Sequence, residues 1–337
     1  MKNDSFADFL RAYGEANPPE CRYHKGESAV RWQKRFRKKL LELRGPVPER
    51  VAPAVTVVQT SREKDHTRHL LRVAVNKLSS LPAYLLVPHG LSAGEKRPGL
   101  LVLHGHSQYG IDSVCGLKGV KDKEGRLRSY ALLAVRSGYV VIAPAWWGWK
   151  GRDGHLERVG RRDRCNVIQM AASMYGFNVL DLHIQDAQAA LDALIARPEV
   201  KSGRIGCLGN SYGGRTAMWI TIFDKRIKVC VASGCMNTFR ERSLKLSACG
   251  IQYPYGLLRY GDVPELFSLI PPRPLQLQAG RKDSLITPAD RDMIETTVRR
   301  AYKSLGVEDR FSYVLHKEGH LLLWSQAEPF LKRYLRA

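Results

Sequence analysis

GCLGNSYGG, residues 206–214, is the stretch of sequence that decides the fold. Its central pattern is G-x-S-x-G, which follows the strand-like run 204–208 and precedes a helix-like segment over 214–223. A serine on such a strand-to-helix turn is held in a strained backbone, and the flanking glycines let strand and helix approach closely. The backbone N–H groups that follow lie at a helix N-terminus and face any oxyanion that develops. The pattern predicts that Ser211 is a nucleophile; the alternative is an ordinary glycine-rich turn.

A serine is a weak nucleophile unless a base accepts its proton, and two later strands supply candidates. Where a serine occupies such a turn, the acid and the histidine follow in that order, each just after a late strand. Asp283 follows the strand-like run 275–279, and His320 follows the run 311–315. We therefore predict that His320 accepts the Ser211 proton. Asp283 would fix the histidine tautomer and stabilise the imidazolium.

Other residues compete for both roles. His316 is the rival base, but it is predicted to end its strand and to be structural. Asp262 precedes the acid-bearing strand, a position that some hydrolases use, and remains an alternative acid. Asp290 and Asp292 belong to a predicted helix whose N-cap is Thr287, and Asp290 is better explained as part of a capping box.

The loop after an earlier buried strand is expected to supply an oxyanion donor. That loop is LHGHSQ, residues 103–108, in which a His-Gly pair lets the backbone turn close to the nucleophile. We predict that the His106 N–H is this donor. The alternative is that Gly105 only makes the turn. His104 is predicted to be a buried, hydrogen-bonded side chain.

The order and spacing of apolar segments along the chain predict the fold around these residues. Strand-like runs between 55 and 87 are broken by polar or proline-bearing turns, as in an antiparallel meander. Further along, continuous apolar runs such as 99–103 and 139–143 alternate with helical stripes such as 180–194. This alternation predicts a mostly parallel sheet with helices on both faces, whose sites lie at the carboxyl ends of strands. We predict one α/β catalytic domain over 51–337.

The first fifty residues differ from the rest of the chain in composition and hydrophobic pattern. They are polar and helix-like, and they end at the breaker GPVP, residues 45–48. We predict a helical extension over 1–50. Four residues share helical spacing, which predicts one apolar face packed against the body: Phe6, Phe9, Leu10 and Tyr13.

Several segments beyond the serine motif resemble the α/β-hydrolase superfamily, in the esterase branch related to dienelactone hydrolases and acetyl xylan esterases. The resemblance extends roughly over 80–337 and includes the helix 186–194, the turn RPEV at 197–200 and PPRPL at 271–275. It implies an α/β-hydrolase fold with a mostly parallel sheet and antiparallel N-terminal strands.

The resemblance also implies residue roles. Ser211, Asp283 and His320 correspond to nucleophile, acid and base, and the Tyr212 N–H corresponds to an oxyanion donor. Dienelactone hydrolases use a cysteine where this chain has its serine, which favours ordinary ester hydrolysis over lactone chemistry. No metal and no organic cofactor is required by such a mechanism. The acyl group is expected to be small, because the branch includes sugar deacetylases.

Two insertions, 145–178 and 235–265, are predicted to shape the pocket, the second as a lid. The first insertion contains Trp146, Trp147 and Trp149. These tryptophans could bind substrate, by stacking on a sugar or by lining an acyl pocket. The alternative is that they attach the insertion to the body. Its arginines form a solvated basic face, or one of them pairs with the carboxylate of an acidic sugar ester: Arg152, Arg158, Arg161, Arg162 and Arg164.

The chain is strongly basic, with 54 Lys and Arg against 32 Asp and Glu in 337 residues, a net charge of +22. Such a surplus raises the question of polyanion binding. The charge is spread out, with denser zones at 31–44 and 150–164, and no nucleic-acid-binding motif accompanies it. We predict a solvated basic surface and expect no nucleic-acid partner.

Cysteine usage and hydropathy bear on the compartment. The seven cysteines are scattered and none forms a CxxC pair, so we predict reduced thiols and neither a zinc ribbon nor a redox motif. No stretch approaches the roughly 18 consecutive apolar residues of a membrane span, and the first residues lack the apolar core of a signal peptide. We expect a cytoplasmic protein without membrane association.

These observations favour a serine carboxylesterase that acts on a small-molecule ester, with acetylated or acidic sugars as candidates. The nearest alternative is a serine peptidase of the same fold. A further alternative is a catalytically silent scaffold that binds polyanions through 31–44; that binding would weaken steeply with salt. The sequence specifies no oligomeric state.

Overall fold

A nine-stranded sheet forms the centre of the computed structural model, which describes residues 5–117, 128–152, 163–245 and 248–335. The strands are β1 (Val55–Arg62), β2 (His66–Asn76), β3 (Ser79–Pro88), β4 (Arg97–Leu103), β5 (Val140–Pro144), β6 (Val200–Asn210), β7 (Ile227–Ser233), β8 (Leu275–Gly280) and β9 (Phe311–His316). Their spatial order is β1-β2-β3-β5-β4-β6-β7-β8-β9.

The direction of strand pairing divides the sheet in two. β1, β2 and β3 pair antiparallel, and β3 also pairs antiparallel with β5. All pairings from β5 through β4 and β6 to β9 are parallel. The predicted antiparallel meander followed by a mostly parallel sheet is confirmed.

Helices cover both faces of this sheet, as predicted. The described helices are α1 (Phe6–Ala16), α2 (Ala29–Glu42), α3 (Ile111–Val114), α4 (Tyr130–Arg136), α5 (Arg164–Ser173), α6 (Val179–Ile195), α7 (Tyr212–Phe223), α8 (Phe239–Arg242), α9 (Val263–Phe267), α10 (Pro288–Ser304) and α11 (Trp324–Leu335). Alternate residues of a strand point to opposite faces. In β4, Leu101 and Leu103 accordingly join the apolar cluster shared with α6, α7 and α10, whereas Leu100 and Val102 join the cluster shared with α4 and α11.

The start of α10 follows the sequence signal. Thr287 is the N-cap, and its side chain accepts a hydrogen bond from the Asp290 N–H at 3.1 Å. Pro288 occupies the first helical position, where its missing N–H costs nothing. The predicted N-cap and the proline are therefore confirmed. The predicted capping box is wrong, because the Asp290 carboxylate accepts a hydrogen bond from the Thr238 hydroxyl at 2.9 Å and not from the Thr287 N–H.

The prediction that α1 packs an apolar face against the body is wrong. No residue of α1 is buried, and Phe6, Phe9 and Tyr13 are 73%, 52% and 57% exposed; Leu10 is only half-buried. Polar contacts hold the helix instead, including an ion pair of 3.2 Å between Arg11 and Glu241. Helical spacing identifies an apolar stripe but does not show that a partner surface exists for it.

The helix α2 and the segment just before it, with Cys21 and Tyr23, enter the core. Trp32 and Phe36 are fully buried, and the Trp32 indole donates to the Cys21 carbonyl at 2.8 Å. In the basic zone 31–44, the guanidinium of the half-buried Arg37 donates to the Leu269 carbonyl, so this zone is partly internal. The division into an extension over 1–50 and a domain over 51–337 stays a prediction.

Two further features bear on the compartment. Among the described residues, no helix combines the length and apolar character that a membrane span requires. Each of the seven cysteines is a buried free thiol. The cytoplasmic location stays a prediction.

Replacing Trp32 by alanine tests whether α2 belongs to the core. We expect Trp32→Ala to lower the free energy of unfolding by about 3–5 kcal/mol, since it leaves a cavity among fully buried side chains. The matched control is Phe9→Ala on the exposed face of α1, which should change stability by less than about 0.5 kcal/mol. Urea unfolding measures both. Equal effects of the two substitutions would contradict the assignment.

Candidate active site

Ser211 lies on the predicted strand-to-helix turn, between the end of β6 and the start of α7. Its backbone has φ 60° and ψ −123°, and it is the single non-glycine residue with positive φ among the described residues. Such a conformation is strained, and its surroundings must hold it. The Ser211 N–H donates to the Ser233 carbonyl at 2.8 Å. A Cβ at Gly213 would collide with the Leu103 carbonyl, so only glycine fits there.

Asp283 and His320 meet in the structure. Asp283 follows β8 and His320 follows β9, and these two strands are parallel neighbours. Asp283 Oδ2 and His320 Nδ1 are 2.7 Å apart; the carboxylate is buried and the ring is partly exposed. The second carboxylate oxygen accepts the Leu285 N–H at 3.0 Å. Asp283 therefore orients the imidazole and leaves its Nε2 to act as the acceptor.

The histidine ring lies next to the serine turn, with Gly234 between them. Gly234 has φ 63°, and a Cβ built on it would lie 2.6 Å from Asn210 Oδ1 and 3.0 Å from His320 Cε1. Asn210 directly precedes Ser211 in the chain. The carboxyl ends of β6, β7, β8 and β9 thus bring the three residues of the predicted triad to one edge of the sheet.

Ser233 links the two halves of this arrangement. Its carbonyl accepts the Ser211 N–H, and its hydroxyl donates to the Leu321 carbonyl at 2.9 Å, one residue beyond His320. Ser233 is fully buried at the end of β7. Sequence reasoning did not single out Ser233 or Gly234, because a small-residue strand end carries no local sign of what it touches.

The rival acids have other partners. The Asp262 carboxylate accepts N–H groups from Phe239 at 2.7 Å and Arg240 at 3.1 Å, and it caps α9. Asp290 accepts a hydrogen bond from the Thr238 hydroxyl at 2.9 Å. Asp292 is paired with its neighbour Arg291 on the surface. The rival base, His316, is buried at the end of β9, where its structural role was predicted.

The loop after β4 passes directly against Ser211. A Cβ at Gly105 would lie 2.8 Å from the Asn210 carbonyl oxygen and 3.2 Å from Ser211 Cβ. On the other side, Tyr212 opens α7, and the N–H groups of a helix's first turn have no acceptor within the helix. The two backbone segments that carry the predicted oxyanion donors, His106 and Tyr212, therefore both border Ser211. Their role as donors stays a prediction.

His104 is fully buried and has the hydrogen bonds of a structural residue. Its Nδ1 donates to the Gly105 carbonyl at 2.8 Å, and its Nε2 accepts the Trp146 N–H at 3.3 Å. The second contact requires the neutral ring, since a protonated Nε2 could not accept. Burial lowers the pKa of His104 to about 4, which keeps it neutral. These contacts agree with the buried, hydrogen-bonded role predicted for it.

The three tryptophans of the first insertion differ in burial. Trp146 is fully buried and stacks on His183, with ring centroids 5.0 Å apart. Trp149 is also buried and stacks on Tyr212 at 5.2 Å. These contacts favour the role of attaching the insertion to the body. The substrate-binding role of Trp146, Trp147 and Trp149 stays a prediction.

Neither role predicted for Arg152 is correct. Its guanidinium is buried, forms an ion pair with Asp186 and lies 3.6 Å from the centroid of the Trp147 ring. It is therefore neither solvated nor available to a substrate carboxylate. Burial raises the pKa of Asp186 to about 6, although the Arg152 charge acts in the opposite direction. Arg158, Arg161 and Arg162 lie outside the described residues.

A cavity of about 700 Å³ lies beside Trp147 and Arg152. Its walls come from the β2–β3 turn, α5 and the start of α6, including Leu78, Tyr175 and Phe177. Ser211, Asp283 and His320 do not line it. This cavity is therefore not the space in which the predicted triad acts.

Sequence comparison connects the chain to hydrolases. Residues 183–253, which include the serine turn, match the family described as "BAAT / Acyl-CoA thioester hydrolase C terminal". The chain is also 29% identical over 307 residues to YtaP of Bacillus subtilis (strain 168), which is described only as a hydrolase. That similarity covers 89% of this chain and 98% of YtaP.

Solved structures with the same fold are esterases by description. A Bacteroides fragilis NCTC 9343 protein described as an acetyl xylan esterase has a TM-score of 0.75 at 17% identity, covering 94% of this chain and 83% of its own. Glucuronoyl esterases give TM-scores of 0.67 (Teredinibacter turnerae T7901, 17% identity, 95% and 89% covered) and 0.64 (Solibacter usitatus, 16% identity, 91% and 93% covered). At such identities the likeness shows the shared fold.

The fold and these similarities together define the class of protein. The chain has the α/β-hydrolase fold and is an enzyme of the hydrolase class, similar to esterases. The resemblance to the α/β-hydrolase superfamily and to acetyl xylan esterases is confirmed. The closer likeness to dienelactone hydrolases stays a prediction.

Gly234 offers a test of how the histidine is positioned. We expect Gly234→Ala to lower kcat/KM for a chromogenic ester by at least ~100-fold, because the new methyl group displaces the His320 ring. Gly306→Ala is the matched control: its φ is 67°, but nothing lies within 4 Å of the added Cβ. Similar losses in both variants would attribute the effect to backbone strain and contradict the proposed displacement.

Buried histidines predict how stability depends on pH. Burial lowers the pKa of His183 well below its ordinary value of 6.5, so the folded state excludes a proton that the unfolded state binds. The free energy of unfolding should therefore fall as the pH drops below about 6.5, by up to ~1.4 kcal/mol per pH unit for one proton. Urea unfolding across this range measures the slope. We expect His183→Gln to reduce it and His24→Gln, on the surface, to leave it unchanged; an unchanged slope in the first variant would refute this account.

Proposed function

We propose that the protein is a serine carboxylesterase that hydrolyses small-acyl esters through an acyl-enzyme on Ser211. The observation that supports this most is the Asp283–His320 pair, whose buried carboxylate orients a partly exposed ring beside the strained serine turn. Each group has a backbone-determined position at the carboxyl end of a neighbouring strand. Such preorganisation is what acyl transfer by a hydroxyl nucleophile requires.

The tautomer of His320 determines the direction of proton transfer. The Asp283 carboxylate accepts the proton on Nδ1, which leaves the lone pair of Nε2 to accept the Ser211 proton as Oγ attacks the ester carbonyl. The resulting imidazolium is stabilised by the buried carboxylate. His320 then donates the proton to the leaving alcohol, which departs and leaves the acyl group on Ser211. In the second half, His320 accepts a proton from water as the water oxygen attacks the acyl carbonyl. The bond between that carbon and Ser211 Oγ then breaks, His320 returns the proton to Oγ, and the carboxylic acid is released.

The oxyanion of each tetrahedral intermediate needs donors in place before the reaction. We assign this role to the backbone N–H groups of Tyr212 and His106, which border Ser211 from opposite sides. The first also benefits from the positive end of the α7 dipole. A single donor of this kind is worth about 2.7–4 kcal/mol of transition-state stabilisation.

The names of similar structures suggest the substrate class. They refer to acetyl xylan esterases and glucuronoyl esterases, so we propose an ester of a sugar with a small acyl group or a uronic acid as the substrate. We propose no metal or organic cofactor for the reaction. We also expect that nucleic acid is not a partner.

Acyl-CoA thioesters are a second candidate substrate. The match of 183–253 to an acyl-CoA thioester hydrolase family favours them. So does the net charge of +22, since coenzyme A carries phosphate groups. The two candidates differ in salt dependence: turnover of an anionic thioester should fall with added salt, whereas that of a neutral ester should change little.

Substitution of the nucleophile tests the proposal. We expect wild type to hydrolyse p-nitrophenyl acetate and butyrate, and Ser211→Ala to lose at least ~10³-fold in kcat/KM. Ser92→Ala, in an exposed loop, is the control and should keep full activity. Acetyl-CoA and a longer acyl-CoA, assayed at two salt concentrations, distinguish the second candidate.

Three results would overturn the assignment. Equal activity of wild type and Ser211→Ala would exclude Ser211 as the nucleophile. Activity on peptide amides alone, or salt-sensitive polyanion binding without any hydrolysis, would instead support the peptidase or the scaffold alternative.

A further inference from the structure

Three ligand-bearing side chains from distant parts of the sequence meet beside the active site. His106 lies in the loop after β4, Cys165 in the first turn of α5, and Cys249 in the segment between α8 and α9. Their ring nitrogen and two sulfur atoms all lie within 4.8 Å of one another. The absence of a CxxC pair led us to expect no zinc ribbon or redox motif. Spacing rules, however, detect only ligands that share a segment.

We propose that His106, Cys165 and Cys249, with Asp163, form a binding site for a zinc ion. Thiolate, imidazole and carboxylate are the ligands that zinc takes in proteins, usually four in a tetrahedron. With Zn–S bonds of about 2.3 Å, two sulfur atoms in such a tetrahedron are about 3.8 Å apart. The three donor atoms therefore need to close by no more than about 1 Å to surround the ion.

Asp163 supplies the fourth ligand. Its Oδ1 accepts a hydrogen bond from Cys165 Sγ at 3.1 Å, and its Oδ2 is 3.6 Å from His106 Nε2. The carboxylate thus already bridges two of the three other ligands. As the N-cap of α5, it is also held by the Cys165 N–H.

The proposed zinc site is open to solvent on one side only. Cys165 and Cys249 are buried, whereas the His106 and Asp163 side chains are 40% and 37% exposed. An ion arrives through the two exposed ligands and reaches the thiols behind them, where both thiols lose their protons on binding. A lone buried cysteine is ordinarily a small apolar side chain, but two thiols grouped with an imidazole and a carboxylate are not explained in that way.

The proposed zinc site is separate from the proposed triad but is connected to it by ring contacts. The His106 ring contacts Trp149 edge-on at 5.4 Å, and Trp149 stacks on Tyr212, the residue after Ser211. Zinc would join the loop that carries His106 to both insertions. Binding to the folded state alone raises stability. Because none of the ligands is Ser211, Ser211→Ala should bind zinc as wild type does, whatever the outcome for the esterase.

Zinc titration of the reduced, chelator-stripped protein tests the site. In competition with a chromophoric chelator, we expect one zinc ion per chain and a higher melting temperature when zinc is bound. Cobalt(II) in place of zinc should show a thiolate-to-cobalt charge-transfer band. Cys165→Ser and Cys249→Ser should each abolish that band or weaken zinc binding by at least ~100-fold, since the loss of outer contacts alone costs 10–100-fold.

Matched variants separate ligand loss from general damage. Cys21→Ser removes another buried thiol, outside the cluster, and should bind zinc as wild type does. Should the cysteine variants fail to fold, His106→Ala changes a partly exposed side chain and is read out by zinc binding. We expect a loss there too. Equal zinc binding in all variants, no uptake by wild type, or pairing of Cys165 with Cys249 as a disulfide in place of metal uptake would each overturn the proposal.

Discussion

The contact between the serine turn and β4 is the constraint on which the site depends. Gly213 in the first turn of α7 lies so close to the Leu103 carbonyl that a Cβ would collide with it, and Gly209 is equally close to Gly213. The chain can therefore pass from β6 to α7 only through a sharp turn, and Ser211 takes up the strain with φ 60°. The residue that bears this strain is the proposed nucleophile. Its exposure at the sheet edge follows from the glycines and not from its own preference.

The end of the neighbouring strand β7 connects the serine turn to the segment that carries His320. Ser233 accepts the Ser211 N–H with its carbonyl and donates its hydroxyl to the Leu321 carbonyl, next to His320. Gly234 then leaves room for the His320 ring. Ser211 and His320 thus both contact the same two residues, Ser233 and Gly234, which limits the movement of one relative to the other.

The first insertion is held by buried polar contacts in addition to apolar ones. Arg152 pairs with Asp186 of α6, and Trp149 stacks on Tyr212 at the start of α7, with ring centroids 5.2 Å apart. Breaking a buried pair of this kind is costly, because it leaves an uncompensated charge. The insertion is therefore anchored to α6 and α7. The proposed zinc ligands lie at its other end, where Asp163 and Cys165 meet the loop of His106.

Local signals in the sequence were sufficient for the strands, the cap of α10 and the order of Ser211, Asp283 and His320 along the chain. Each depends on residues a few positions apart, whose backbone preferences and spacing act within one element. Three features were decided by tertiary structure alone. The aromatic face of α1 is exposed, Arg152 forms a buried ion pair with Asp186, and the side chains of His106, Cys165 and Cys249 lie together. These outcomes depend on which distant surfaces meet when the insertions fold back onto the sheet. No periodicity or motif within one segment predicts these contacts, because the free energy that stabilises them comes from interactions between segments.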